Sequence, residues 1–226
     1  MALDPKIKAV GFDMDGTFMH TQVDYIRLAR VVRDEFESLG VPDSVLQADN
    51  YKFTMDGGMN WLRENGKSEY IDGLNDRIGN RATEIEMENA DLAVPYPGAV
   101  EVLELLKGKG YKVGILTRGG RRYATKVLGE SDVLDKFDAL VARDDYPEDE
   151  AKPNPLAMDH LAAAMGVKSS EILYVGDGLV DFMTANASGA QFIGVETGPN
   201  DAKLWKEKAG NGVKTIPSVA DLAGLI

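Results

Sequence analysis

Two carboxylates stand two residues apart in "VGFDMDGTFM", where Asp13 and Asp15 close an apolar run and precede Gly16 and Thr17. A turn needs one Asp or Gly. Two acids at one strand end point instead to a metal, a proton-transfer pair or a nucleophile. Three later stretches carry matching chemistry: "ILTRGG" with Thr117, Arg118 and Gly119, "AKPNP" with Lys152, and "GDGLVD" with Asp177 and Asp181. Taken singly, each has an ordinary reading. Thr117 ends a strand, Lys152 is a solvated charge among the acids of "DDYPEDE", and Asp181 favours a helix dipole from the first turn. "DMDGT" also lacks the third ligand before glycine and the later glutamate of a calcium-binding EF-hand loop. The joint placement of these residues is what distinguishes them.

The elements that must position them read clearly beyond residue 93. "YKVGILT" (111–117), "FDALVA" (137–142), "EILYVGD" (171–177) and "AQFIGVE" (190–196) are short buried strands by composition. Helical periodicity covers residues near 97–109, 119–130, 154–166, 178–188 and 200–209. With "KIKAVGFD" as first strand, this predicts an α/β fold, a Rossmann-like, doubly wound parallel sheet covered by helices. Ligands of such sheets bind beyond the carboxyl ends of the strands. All four motifs follow strands, so they are expected on one rim.

Four carboxylates meeting there would repel by about 4 kcal/mol per close pair at an effective dielectric near 20. A cation relieves that, and Mg²⁺ suits an all-oxygen site that keeps positions open for a phosphate. Lys152 adds a fixed positive charge. Thr117 and the Gly119-Gly120 amides, at the mouth of a helix, offer donors to anionic oxygens. Together these residues describe a phosphoryl-transfer site.

Residues 19–92 break the strand–helix rhythm and predict an inserted, all-helical domain, so that 1–18 and 93–226 form the core domain. "QVDYIRLARVVRDEFESLG" carries Ile26, Ala29, Val32, Phe36 and Leu39 on one stripe, ending at Gly40. In "SEYIDGLNDRIGNRATEIEMENA", Ser68 is the expected N-cap, with Ile71, Leu74, Ile78 and Ile85 facing inward. The Gly57-Gly58 pair of "MDGGMNWLREN" predicts a loop dipping towards the active site, while Met59, Trp61 and Trp205 are expected to pack in cores. Lys52, Arg63 and Lys67 are the insertion's cations near expected loops. Hinges are expected near 18–21 and 91–96.

The 226 residues carry a formal net charge of −12, which opposes binding to nucleic acid or an anionic membrane surface. Cysteine is absent, excluding disulfides, thiolate zinc sites and a thiol nucleophile. No apolar stretch approaches a membrane span, and "MALDPKIK" has no long apolar core of a signal peptide. A cytoplasmic location is therefore expected, and "NAS" at Asn186 is taken as a chance glycosylation sequon. Nothing in the sequence sets the oligomeric state.

"DMDGT", "ILTRG", "AKPNP" and "GDGLVD", in this order, resemble the four motifs of the haloacid dehalogenase superfamily over nearly the whole chain. The insertion resembles that superfamily's helical type-1 cap, as in phosphoglycolate phosphatase and β-phosphoglucomutase relatives. The resemblance implies a Mg²⁺-dependent phosphatase acting on a small phosphorylated metabolite. Asp13 would be the nucleophile and Asp15 the general acid and base. Thr117 would hold the phosphoryl group and Lys152 would offset its charge. Mg²⁺ would be bound by Asp13, the Asp15 carbonyl and Asp177, with Asp181 orienting water or Lys152. Gly16 would permit the turn that faces amides, including those near Thr17, Arg118 and Gly119, towards the phosphate. His20 departs from an aspartate common among relatives, which bears on substrate preference. Mutases of the β-phosphoglucomutase kind carry a Glu-Asp pair in the fourth motif, where this chain has "VGDGLVD". Non-catalytic descendants lose the nucleophile or the acid, and both are present here.

Overall fold

In the computed structural model, which describes residues 3–46, 51–210 and 212–226, the chain begins with β1 (Ala9–Phe12), a strand buried along its whole length. A two-residue strand β2 (Met19–His20) follows, and then helices α1 (Tyr25–Ser38), α2 (Tyr51–Glu64) and α3 (Leu74–Glu88). After β3 (Val94–Pro95) the strand–helix alternation starts: α4 (Ala99–Gly108), β4 (Lys112–Leu116), α5 (Arg121–Glu130), β5 (Ala139–Val141) and α6 (Leu156–Met165). It continues through β6 (Ile172–Gly176), α7 (Leu179–Ser188), β7 (Gln191–Val195), α8 (Ala202–Ala209) and β8 (Lys214–Ile216).

Six strands pair in the order β5-β4-β1-β6-β7-β8, every pair parallel. The chain winds from β1 outward through β4 and β5, then crosses back to β6 and runs the other way. The strand order reverses beside β1, and in such sheets ligands bind at the carboxyl ends of the strands at the reversal, here those of β4, β1 and β6. Helices α6 and α7 pack on the face presenting Ala9, Leu116, Ile172 and Tyr174. The alternating residues Val10, Phe12, Val113 and Ile115 are equally buried. A strand points successive side chains to opposite faces, so both faces of the sheet are covered. Trp205 of α8 is buried, its indole N–H donating to the Val195 carbonyl at 3.0 Å.

The chain divides into two compact units, Met1–Thr21 with Leu92–Ile226, and Gln22–Asp91. The first holds the sheet and an antiparallel ladder between β2 and β3, the two passages of chain that flank the second unit. These two-residue strands, and the three-residue edge strand β8, carry no alternation long enough to show in the sequence.

The second unit is helical around its own core of Val32, Phe36, Met55, Leu62, Leu74 and Ile78. Asp24 caps α1 by accepting the Arg27 amide at 2.9 Å. Two expectations are corrected here. Gly57 and Gly58 form no loop: they lie inside α2, where a Cβ on Gly58 would stand 2.5 Å from the Phe36 ring. The missing side chain brings two helices together, and the stripe of Met55, Met59 and Leu62 supplies the burial that offsets two poor helix formers. Ser68 does not cap the long helix either. It opens a short 3₁₀ turn, and α3 starts after Gly73, which is left-handed at φ 74°. The cations are engaged within the unit: Lys52 is buried with Asp56 at 2.7 Å, Arg63 donates to Asn60 at 3.0 Å, and Lys67 donates to the Leu39 carbonyl at 2.6 Å.

Candidate active site

Asp13 is the first residue beyond β1, yet its amide still donates to the Val175 carbonyl at 2.9 Å. The ladder thus clamps its backbone to β6 while its side chain, buried at 9% exposure, leaves the sheet's edge. Lys152 lies on the long connection from β5 to α6 and is buried too. Its ammonium donates to Asp13 Oδ1 at 2.8 Å, Asp181 Oδ1 at 2.6 Å and the Tyr174 hydroxyl at 3.1 Å. Tyr174 in turn donates to the Leu116 carbonyl at 2.9 Å, tying the lysine to the end of β4. Asp181 uses its other oxygen to accept the Gly178 amide at 3.0 Å, so one carboxylate caps α7 and fixes the lysine.

Asp177, directly after β6, is threaded between two glycines. Gly16, at φ 78°, has the Asp177 carboxylate 2.4 Å from where a Cβ would stand, and Gly198 has it at 1.8 Å. Only a chain without side chains there can close on the acid. The Thr17 hydroxyl reaches Asp177 Oδ1 at 3.3 Å, and Asn200 donates to its carbonyl at 2.8 Å. Thr197 donates to the Gly16 carbonyl at 2.6 Å, and Tyr96 to the Thr197 carbonyl at 3.1 Å.

Carboxylate oxygens of Asp13, Asp177 and Asp181 lie within 4.8 Å of one another. Burial, then the Asp181 charge, pushes the Asp177 carboxyl up to about 7 against the pull of Lys152. Burial likewise raises the Asp13 carboxyl well above the usual carboxylate range; Lys152 opposes this, while Asp181 and Asp177 add to it. For Lys152, burial disfavours the ammonium, but Asp13 and Asp181 outweigh it and hold the group firmly protonated. One lysine therefore leaves the three acids under-compensated. Hard oxygen donors short of positive charge fit a hard divalent cation such as Mg²⁺.

The sequence places these residues on one rim, with three differences of detail. Three carboxylates converge, and Asp15 is not among them; its Oδ1 accepts the Tyr123 hydroxyl at 2.7 Å. The Gly119 amide is not open to an anion, because it donates to Thr117 Oγ1 at 2.9 Å. Arg118 braces the lysine's loop, donating to the Lys152 carbonyl and pairing with Glu148, each at 2.9 Å. His20 is exposed with its ring against Tyr96. Sequence reasoning missed Tyr123, Tyr174, Thr197 and Asn200. For Tyr174 there was a signal: a lone phenol in an aliphatic strand must find a partner when buried.

A parallel sheet with three acids and a lysine gathered where its strand order reverses has the layout of a hydrolase site in an α/β fold. The profile of the haloacid dehalogenase-like hydrolases matches residues 7–189, and the chain belongs to that family. A phosphoglycolate phosphatase of Nitrosospira multiformis is 27% identical over 226 residues, covering 97% of this chain and 96% of that protein. A hydrolase from Pseudomonas syringae has a similar fold, with a TM-score of 0.65, 23% identity and 96% of both chains covered. CbbY from Rhodobacter sphaeroides, solved in complex with phosphate, gives a TM-score of 0.62 at 19% identity over 97% of this chain and 99% of its own. Among the described residues no helix is long and apolar enough to cross a membrane.

Proposed function

We propose that the protein is a Mg²⁺-dependent phosphatase of small phosphomonoesters, phosphoglycolate-like acids or sugar phosphates, working through an aspartyl-phosphate. The observation that carries this is the buried Asp13 carboxylate, hydrogen-bonded to Lys152 and within 4.8 Å of Asp177. Its backbone is fixed to β6, so the oxygen that must meet phosphorus is pre-positioned. The relatedness to phosphoglycolate phosphatases favours a small anionic ester as substrate.

In the first step an Asp13 oxygen attacks phosphorus in line. The ester P–O bond breaks, and Asp15 gives its proton to the departing oxygen. In the second step a water oxygen attacks the aspartyl-phosphate and its proton passes to Asp15. The acyl P–O bond breaks, releasing inorganic phosphate and restoring both acids. Asp13 and Asp177, with the Asp15 carbonyl, would hold Mg²⁺, which when bound supplies positive charge to the phosphoryl oxygens. Asp181 keeps Lys152 in place. Because Gly119 occupies a lone pair of the Thr117 hydroxyl, that hydroxyl's own hydrogen is the one left for a phosphoryl oxygen.

The test is magnesium-dependent phosphate release across a panel of phosphomonoesters, with product analysis separating hydrolysis from isomerisation. Asp13→Asn should abolish turnover and leave no acid-stable phosphoenzyme. Turnover by this variant equal to wild type, or indifference of the wild type to magnesium, would sink the reading.

A further inference from the structure

The connection from β7 to α8 belongs to none of the four motifs, yet it grips two of them. It is anchored where it starts, the Glu196 amide donating to the Ile216 carbonyl of β8 at 3.2 Å. The Thr197 hydroxyl then donates to the Gly16 carbonyl, in the turn that follows Asp13, at 2.6 Å. Asn200, buried at 2% exposure, donates to the Asp177 carbonyl at 2.8 Å. Between these holds, Gly198 stands where a Cβ would come within 1.8 Å of the Asp177 carboxylate. One short stretch therefore spans both loops whose acids must meet. Asn200 has support of its own. Lys208, in the last turn of α8, donates to Asn200 Oδ1 at 2.8 Å. An ammonium has hydrogens to give and no lone pair to offer, so it decides which end of the amide it meets. The oxygen faces Lys208, and the NH₂ is turned towards the Asp177 carbonyl.

We infer that Asn200 is a positioning residue for Asp177. It holds that aspartate's backbone, and through it the carboxylate, at the separation from Asp13 at which both can bind one divalent cation, and Lys208 sets the direction of the amide. Electrostatics makes such a hold necessary. Asp13, Asp177 and Asp181 present oxygens within 4.8 Å of one another, and like charges so close push their loops apart. Asp177 lies one residue past β6, where the ladder ends and its carbonyl accepts from a side chain instead of a neighbouring strand. Without Asn200 the carboxylate relaxes away from the other two. The cation is then bound more weakly although every acid that holds it is still present.

This positioning role rests on the magnesium site of the phosphatase reading, and the test separates the two. The readout is the magnesium dissociation constant at pH 8, measured by titration calorimetry without substrate. Asn200→Ala should raise it about tenfold, the low end of what lost supporting contacts cost a metal site. Lys208→Met, a change at an exposed residue, should raise it by a smaller factor, about threefold. The sign of this second effect is diagnostic. Removing a positive charge would by itself tighten cation binding, so weaker binding reports the freed amide. The double variant should match Asn200→Ala, because Lys208 acts through Asn200. Lys203→Met removes the same charge from the same helix, from a lysine paired with Glu207 and not with Asn200, and should not weaken binding. Phosphate release lost by Asn200→Ala should return in excess magnesium, which a defect of the whole fold would not allow. Unchanged or tighter binding in Lys208→Met, or additive losses in the double variant, overturn the inference. Should Asn200→Ala not fold, Lys208→Met decides alone. A wild type that binds magnesium but releases phosphate from no ester overturns the phosphatase reading, while the dissociation constants still decide the role of Asn200. A wild type that binds no magnesium overturns both.

Discussion

An ammonium has three hydrogens, and Lys152 spends them on three oxygens: Asp13 at 2.8 Å, Asp181 at 2.6 Å and Tyr174 at 3.1 Å. A tetrahedral donor set suits lysine and not the planar guanidinium of arginine, so Lys152→Arg should not restore function to this pocket. Tyr174 is the member of this set whose removal changes hydrogen bonding without changing charge. Tyr174→Phe leaves the Leu116 carbonyl and one lysine N–H short of a partner inside the core, which costs about 1–3 kcal/mol. Urea unfolding should show the midpoint falling at unchanged slope, and an unaltered midpoint would mean the cavity left behind admits water that replaces the phenol. The residue scale also shows why the site was only partly legible. Asp13 and Asp177 betray themselves as charges just past strands, and Lys152 as a lysine just ahead of the Pro-Asn-Pro that leads into α6, all local signals. Tyr174 meets its lysine across 22 residues and Tyr123 its aspartate across 108, and no spacing rule encodes such a meeting.

At the scale of elements, the glycines of the second unit show where periodicity succeeds and where it misleads. The stripes of α1 and α3 were legible because Val32, Phe36, Leu74 and Ile78 recur at helical intervals around one core. A Gly-Gly pair reads as a loop because each glycine weakens a helix by about 1 kcal/mol. In α2 the cost is accepted because Phe36 fills the space that Gly58 leaves. Gly79 of α3 has nothing within 4 Å of where its Cβ would stand. The two positions should therefore respond with opposite signs to the same substitution. Gly79→Ala should stabilise by about 0.5–1 kcal/mol through lower chain entropy in the unfolded state. Gly58→Ala should destabilise by about 1–3 kcal/mol by overpacking against a ring that cannot withdraw. Thermal melts of the two variants give the comparison, and a rise for both would show that Phe36 has an alternative rotamer. The sheet was legible by similar logic: β1, β4 and β6 are buried aliphatic runs, whereas β8 is a short edge whose pairing with β7 is set only by tertiary context.

Over the whole molecule, a chain of net charge −12 gathers three of its acids within 4.8 Å, and the folded state bears the cost of that choice. Asp177 is raised from the ordinary carboxylate range to about 7, and Asp13 is raised as well. A group whose folded-state pKa exceeds its unfolded value stabilises fully below the unfolded value, and that contribution disappears as pH climbs through the folded one. Without divalent metal, these acids should therefore lower the unfolding temperature steadily from about pH 4 to pH 7, the window set by the unfolded carboxylate and the raised Asp177. A cation that binds the ionised folded site works in the other direction. Magnesium at 100 times its dissociation constant adds about 2.7 kcal/mol, and its affinity should rise with pH because protons compete for Asp177. Melting curves in chelator and in excess magnesium should accordingly diverge as pH is raised from 5.5 to 8. In Asp177→Asn both the metal-free decline and the magnesium gain should shrink together, since one carboxylate gives rise to both. Parallel curves in chelator and magnesium over that range would mean that the three acids are compensated by the protein alone.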